Sequence, residues 1–203
     1  MGMQRRLRKF LHRDELAALI AVKAPAHERL ALDLFLDTGV RVSELVSANV
    51  SDLWLDDGER VQLSVSVKGR GRRAEKFPVS LDPALAGGLL ESLGARRASP
   101  DAPLLVNAAG NRFARSSLSQ LVARLARRAG ITRLTVRAHA LRHTFNVIAR
   151  QAGVEVYTRS RLLNHSDTGT LSKYDHLDAT ELTDARDKIR DSLRRVREGR
   201  APN

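Results

Sequence analysis

No cysteine occurs in the 203 residues of the chain, which excludes a disulfide framework and any metal site built from thiolates. Apolar runs are short, and none approaches the roughly 18 residues that a membrane-spanning helix needs. The N-terminus is basic but lacks the apolar stretch of a secretory signal behind it. Both glycine-rich nucleotide-binding fingerprints are absent. We therefore expect a soluble, intracellular protein that does not act at a membrane.

Acidic residues are too few to balance the basic ones. The chain has 35 Lys and Arg against 23 Asp and Glu, a net charge of +12, and 29 of the 35 basic residues are arginine. A field of this sign favours a polyanionic partner, and guanidinium groups suit contacts to phosphate in particular. Many basic proteins share this composition, so charge alone does not establish nucleic-acid binding.

The first twelve residues carry many basic and few apolar side chains. Arg5 and Arg6 belong to this stretch, which is either a solvated start of the chain or an arm that lies along a DNA backbone. No clear linker interrupts the patterned sequence that follows. We therefore treat residues 1–12 as a basic arm or linker remnant and residues 13–203 as one domain.

Apolar periodicity predicts helices through most of the chain. A first helix begins near Arg13 and ends before Pro25, and a strongly apolar one follows until Gly39. Later helices are expected at 81–97, at 116–129 with Ser116 or Ser117 as the cap, around 139–148, at 154–163 and, as an amphipathic C-terminal helix, at about 178–197. Residues 52–79 alternate instead and predict three strands joined by two turns.

The turn between the second and third predicted strands is strongly basic. Its sequence runs from Lys68 through Gly69 and Gly71, and its arginines are Arg70, Arg72 and Arg73. The glycines do not precede a helix, so they do not form a phosphate-cradling loop of the nucleotide-binding kind. We interpret the segment as a hairpin tip that carries Lys68 and the three arginines, a DNA-binding group, toward a negatively charged surface.

Residues 138–148 combine an apolar stripe with basic groups. The stripe consists of Leu141, Phe145 and Ile148. His139, Arg142 and His143 lie off it and near one another, because residues three and four apart are neighbours on a helix. One face would then be anchored in a core, while the other would present a guanidinium and two imidazoles. Such a surface is suited to gripping a phosphate.

His139 and His143 are spaced like the two histidines of some zinc sites. The glutamate that such sites need does not lie between them, and Arg142 would repel a dication, so we expect no metal. We interpret His143 as a residue that braces the helix and not as a catalyst.

Arg41 follows the second predicted helix, and Glu44 lies one turn further on. The two are either an ordinary surface ion pair, worth at most about 1 kcal/mol, or a guanidinium that a carboxylate orients toward a site. Taken alone, the segment favours the surface pair.

Five blocks of sequence, in order, resemble the catalytic domain of the tyrosine recombinases, the phage integrase family. The blocks are Thr38–Leu45, Lys68–Gly71, His139–Phe145, Leu162–Ser166 and Tyr174. The resemblance runs from about residue 10 to about residue 180. It implies a mainly α fold with a small antiparallel β-sheet, an α+β domain, and metal-independent breakage and rejoining of DNA.

The resemblance also implies a role for each site residue. Tyr174 would be the nucleophile, Arg41 and Arg142 the phosphate clamp, Lys68 the proton donor to the leaving 5′ oxygen, His139 a proton-transfer group, His165 a hydrogen-bonding partner of the phosphate, and Glu44 the support of Arg41. The other tyrosine, Tyr157, lies in a helical stretch and should be a packing residue.

The implied partners are double-stranded DNA with recombination or attachment sites and further copies of the chain, in a homotetramer on DNA. No cofactor is implied, and the expected location is the cytoplasm of a prokaryotic cell, at the nucleoid, with a phage as one source of the gene. We expect an integrase of a phage or mobile element. Chromosome-dimer resolution, a type IB topoisomerase-like nicking and closing enzyme, and a catalytically silent DNA-binding protein of the same fold stay open as alternatives.

Overall fold

The computed structural model describes residues 9–67, 75–132, 136–163 and 179–200. Its helices are α1 Arg13–Ala21, α2 Ala26–Thr38, α3 Val42–Ser47, α4 Pro83–Ala95, α5 Arg115–Arg128, α6 Ala138–Gln151, α7 Val156–Leu162 and α8 Ala179–Arg197. Its strands are β1 Leu53–Leu55, β2 Val61–Val67 and β3 Glu75–Ser80. The predicted mainly α fold with a small sheet is therefore confirmed. None of the helices in the described ranges is long and apolar enough to cross a bilayer.

The sheet is a three-stranded antiparallel meander in the order β1-β2-β3, as the alternation of residues 52–79 predicts. Leu63 and Val79 are register partners on the inner face, and both are buried. The β2–β3 ladder extends to the pair Val67 and Glu75, beyond which the basic turn lies outside the described residues. The two strands therefore form the stem of the predicted hairpin.

Helix boundaries follow local signals at most ends. The Glu15 carboxylate accepts the main-chain N–H of His12 at 2.7 Å and caps α1, as acidic residues in a first turn predict. Gly39 ends α2 in the left-handed region with φ 65°. The predicted cap of α5 is wrong, because the helix begins at Arg115 and Ala114 occupies the cap position without a side-chain hydrogen bond. Both serines, Ser116 and Ser117, lie inside the exposed first turn.

The core is a single apolar cluster to which both α6 and α8 contribute. Leu141, Phe145 and Ile148 of α6 are buried, which confirms the apolar stripe predicted for that helix. Ala185, Ile189 and Val196 of α8 are buried at spacings of four and seven, as expected of the amphipathic C-terminal helix. α8 packs against α1, α6 and α7, so it closes the core on the side where these helices meet.

Candidate active site

Arg41 and Glu44 form a partly buried pair at the start of α3. The Glu44 carboxylate accepts the main-chain N–H of Arg41 at 2.7 Å and its Nη1 at 2.8 Å. The Glu44 side chain is 5% exposed, whereas that of Arg41 is 37% exposed. An ordinary surface pair would leave both groups solvated, so the interpretation favoured by the segment alone is wrong. Glu44 instead holds one end of a guanidinium that reaches the surface.

Arg142 extends from α6 to the C-terminal ends of two other helices. Its Nη1 donates to the carbonyl of Gly39, 2.8 Å away at the end of α2, and its Nη2 donates to the carbonyl of Leu163, just after α7. Helix ends leave carbonyls without partners inside the helix and favour cations there. Arg142 is therefore buried, where we had expected an exposed face, because it satisfies these carbonyls.

The charges around Arg142 make this part of the site cationic. Burial lowers the pKa of Arg142 to about 10; the positive charge of Arg41 acts in the same direction, and Glu44 acts in the opposite direction. Arg142 therefore stays protonated near neutral pH. The charges of Arg41 and Arg142 lie close enough to influence each other, and with Glu44 bonded to Arg41 the three groups carry a net positive charge suited to an anion.

The two histidines of α6 contact each other. The rings of His139 and His143 lie edge to face, with centroids 4.3 Å apart and an interplanar angle of 76°. His139 is exposed and His143 is half-buried, so His143 has the more sheltered ring of the two. Burial lowers the pKa of His143, and the positive charges of His139, Lys9 and Arg142 lower it further.

The remaining predicted site residues lie outside the described residues. They are Lys68, Arg70, Arg72, Arg73, His165, Tyr174, Arg5 and Arg6. Among the described residues, the charges of Arg41, Glu44 and Arg142 lie close enough to interact, and His139 and His143 contact each other on the helix that also carries Arg142. The structure does not test the others. The other tyrosine, Tyr157, is half-buried in α7. Within the described ranges, no group of three His, Cys, Asp or Glu side chains is arranged to hold a metal ion.

Sequence reasoning missed a second set of buried charges near the end of α2. Asp37, Arg186 and Arg190 are all buried, and Asp37 and Arg190 form an ion pair at 2.8 Å. The sequence offers one weak signal, since Arg186 and Arg190 lie beside the apolar residues of α8 and not on its polar face. Asp37, which accepts the hydrogen bond from Arg190, lies 153 residues away, and the sequence around it does not indicate this pairing.

Known proteins resemble this chain in sequence. The sequence profile of the phage integrase family matches residues 9–181. The tyrosine recombinase XerC of Thermodesulfovibrio yellowstonii is 29% identical over 199 residues, which cover 92% of this chain and 64% of that protein. The chain thus spans somewhat less than two thirds of the length of this relative.

Solved structures share the fold. The crystal structure of the XerA recombinase superposes with a TM-score of 0.67 at 25% identity, over 93% of this chain and 66% of that one. A pre-cleavage complex of the XerH site-specific recombinase bound to difH substrate gives a TM-score of 0.68 at 24% identity, over 91% and 55% of the two chains. Taken with the family match and the paired arginines, these findings show that the chain belongs to the phage integrase family, the tyrosine recombinases.

Proposed function

We propose that this chain is the catalytic part of a site-specific DNA recombinase, which cleaves and rejoins DNA strands through a covalent 3′-phosphotyrosyl intermediate. The observation that carries the proposal is the fixed pair of guanidinium groups, Arg41 held by Glu44 and Arg142 held by two main-chain carbonyls. We assign the catalytic domain to residues 13–203 and a basic arm or linker remnant to residues 1–12.

The two arginines would clamp the phosphate that is attacked. Charge develops on the non-bridging oxygens of a phosphodiester during displacement, and fixed cations aimed at those oxygens supply much of the catalysis. A guanidinium fork matches two phosphate oxygens at once. In this proposal Arg41 and Arg142 take the place that metal ions occupy in other phosphodiesterases, and Glu44 keeps Arg41 oriented.

Tyr174 would supply the nucleophile. Its phenol oxygen attacks phosphorus, the bond from phosphorus to the 5′ oxygen breaks, and the leaving oxygen takes a proton from Lys68. A phenol has an ordinary pKa of about 10, so neighbouring positive charge and a proton acceptor, for which we propose His139, are needed near neutral pH. His165 would hydrogen-bond to the phosphate, and His143 would brace helix α6.

The phosphotyrosyl bond keeps the free energy of the broken phosphodiester. Attack by a 5′ hydroxyl on the same phosphorus releases the tyrosine and restores the strand, with the proton transfers reversed. Rejoining therefore requires no nucleotide and no cofactor, in accord with a sequence that has neither nucleotide-binding fingerprint.

We propose double-stranded DNA and a homotetramer as the assembly. The basic turn, with Arg70, Arg72 and Arg73, and the N-terminal Arg5 and Arg6 would contact the phosphate backbone, because clustered arginines release counterions there. The XerH structure with its difH substrate supports DNA as the partner. A lambda integrase of the same fold, solved as a tetramer bound to a Holliday junction, supports the assembly.

We propose integration or excision of a phage or mobile element as the biological role. The Xer relatives make chromosome-dimer resolution the competing role. A two-site assay separates the roles: an integrase joins sites carried on separate molecules, whereas a resolving enzyme acts on repeated sites within one molecule. Relaxation of a supercoiled plasmid without any two-site product would contradict both and favour a nicking and closing enzyme.

Covalent trapping tests the reaction itself. The probe is a library of duplexes with randomised sequence and a nick in one strand, so that a short cleaved fragment is lost and rejoining is prevented. The wild-type chain should yield DNA-linked protein that survives denaturation, and so should Tyr157→Phe. Tyr174→Phe should yield none while it still binds the recovered duplex. A covalent adduct in Tyr174→Phe would overturn the assignment of the nucleophile.

A further inference from the structure

The C-terminal helix α8 brings two buried arginines to the end of α2. Arg190 is 8% exposed and Arg186 is 3% exposed. The carboxylate of Asp37, itself 7% exposed, pairs with Arg190. Buried charges are costly unless they are paired and hydrogen-bonded, so their arrangement in the core calls for a structural reason.

Arg190 is fully engaged in this contact. Its Nε donates to Asp37 Oδ1 at 2.8 Å, its Nη2 donates to the carbonyl of Ser80 at 2.6 Å, and its Nη1 donates to Asp187 Oδ1 at 3.1 Å. Asp37 Oδ2 also accepts the main-chain N–H of Asp82 at 3.1 Å. The ion pair joins the end of α2 to the middle of α8. The additional hydrogen bonds connect this pair to the end of β3 and the start of α4.

Arg186 is a second buried guanidinium group near Asp37. Its Nη1 and Nη2 are buried and have no hydrogen-bond partner in the part of the chain that the structure describes. Burial lowers its pKa to about 10, and the negative charge of Asp37 opposes that change. One carboxylate thus lies near two buried guanidinium groups. Without it, Arg190 would keep only the half-exposed Asp187 as a counter-charge, and Arg186 would lose the negative charge that acts on it.

Residues 37–41, the turn at the end of α2, also hold the residues on which the proposed phosphate clamp depends. Asp37 lies two residues before Gly39, whose carbonyl accepts Nη1 of Arg142, and four residues before Arg41. Arginines from two helices therefore hold a single short segment, Arg142 of α6 at Gly39 and Arg190 of α8 at Asp37. Val40, between Gly39 and Arg41, is buried, so the segment has little freedom to adjust on its own.

We propose that Asp37 and Arg190 are positioning residues for the clamp: their ion pair fixes the turn from which Arg41 and the acceptor of Arg142 are placed. The inference rests on the proposed function, because it assigns a consequence for phosphate cleavage to a contact remote from phosphate. The C-terminal helix thereby sets the geometry of the site without supplying a group to it. A displacement of about 1 Å can cost 100-fold in rate, so a fixed turn matters.

The test compares Arg190→Met with a control on the same helix. Arg194 lies one turn further along and pairs with Asp191 at 3.1 Å, but both side chains are more than half exposed, so Arg194→Met is the control. Single-turnover adduct formation is measured at saturating concentrations of the nicked duplex recovered by covalent trapping. Affinity for that duplex is measured separately in the Tyr174→Phe background.

Arg190→Met should form adduct roughly 10- to 100-fold more slowly than the wild type, with unchanged DNA affinity, because only the clamp geometry is altered. Arg194→Met should match the wild type. Arg190→Lys should recover part of the rate, since an ammonium can still pair with Asp37.

Hydrogen–deuterium exchange of the free protein provides a second measurement. Amides of residues 37–41 should exchange faster in Arg190→Met than in Arg194→Met. If Arg190→Met does not fold, Arg190→Lys and Asp37→Asn take its place in both measurements. Equal cleavage rates in Arg190→Met and Arg194→Met, equal exchange in the two, or a loss explained entirely by DNA affinity would overturn the inference. A wild-type chain that forms no adduct would instead overturn the proposed function, and exchange would still decide whether the pair fixes the turn.

Discussion

Arg142 and Gly39 are joined by a hydrogen bond of 2.8 Å from the guanidinium Nη1 to the main-chain carbonyl, across 103 residues of sequence. The contact ties α6 to the end of α2, and a second one from Nη2 ties it to Leu163. A guanidinium has five N–H donors, so these two contacts leave donors for a further acceptor. Such a group can be held in place by the protein before it meets a phosphate.

Replacing Arg142 by lysine should destabilise the fold. An ammonium cannot bridge the carbonyls of Gly39 and Leu163 as a planar fork does, so one buried carbonyl loses its partner. We expect the free energy of unfolding in urea to fall by about 1–3 kcal/mol. Arg150→Lys, at an exposed position of the same helix, is the control and should leave it unchanged. Equal stability of the two variants would show that the bridge contributes nothing.

Neutralising Glu44 should cost more than neutralising an exposed partner at the same spacing. Glu44→Gln weakens a buried charged hydrogen bond to Arg41, and we expect a loss of about 1.5–3 kcal/mol of unfolding free energy. Asp191→Asn removes the partner of Arg194, also three residues away but exposed, and should cost less than about 0.5 kcal/mol. Denaturant titration measures the unfolding free energy of both variants. Similar losses in the two would contradict the conclusion that burial strengthens the hydrogen bond between Glu44 and Arg41.

An alanine at position 39 should be poorly tolerated for two separable reasons. Gly39 has φ 65°, and a Cβ there would lie 2.7 Å from the ring of Phe145. Gly130 has φ 78° but no atom within 4 Å of such a Cβ, so Gly130→Ala reports backbone strain alone, about 1–2 kcal/mol. Gly39→Ala should add about 1–3 kcal/mol for the clash. Equal melting temperatures in the two variants would exclude the steric part.

Thr144 should anchor the start of the described chain to α6. Its Oγ1 accepts the main-chain N–H of Leu11 at 2.9 Å and donates to the carbonyl of Ala140 at 2.8 Å. Thr144→Val leaves the buried N–H without a partner, at a cost of about 1–3 kcal/mol. Limited proteolysis should then cleave sooner near Leu11, whereas Thr144→Ser, which keeps the hydroxyl, should behave as the wild type. Unchanged cleavage in the valine variant would contradict the anchor.

Acidification should destabilise the fold in part through His143. Its folded pKa is lowered by burial and by the charges of His139, Lys9 and Arg142, so the unfolded chain takes up a proton first as pH falls. The contribution to stability is therefore complete above the unfolded pKa of about 6.5 and is lost as pH falls toward the folded value. His143→Phe should flatten this decline in denaturation curves recorded at a series of pH values.

Lys9 provides the companion variant for that titration. Lys9→Met removes one of the positive charges, so the pKa of His143, followed by its ring resonances in NMR, should rise. A His143→Phe chain with the same pH dependence of stability as the wild type would contradict the linkage.

The sequence by itself determined most of the helices and strands and, through the resemblance of its motifs, which residues we propose for the phosphate clamp. Apolar periods of 3.6 and 2 residues depend only on neighbours in the sequence. The sequence therefore predicted α2 with its end at Gly39, the hairpin stem of β2 and β3, and the apolar stripe of α6. Capping was predicted less well: the serine cap of α5 is wrong, because the cap position is Ala114, two residues before Ser116.

Only the tertiary structure decided which groups are buried and what they contact. The exposed face expected for Arg142 became a buried bridge between two helix ends, and the apparent surface pair of Arg41 and Glu44 has a buried carboxylate. The ion pair of Asp37 and Arg190 spans 153 residues, and neither partner has a local signal of the other. Periodicity shows which face of a helix turns inward, but the partner of a buried charge depends on how distant elements pack, and that is fixed only by the fold.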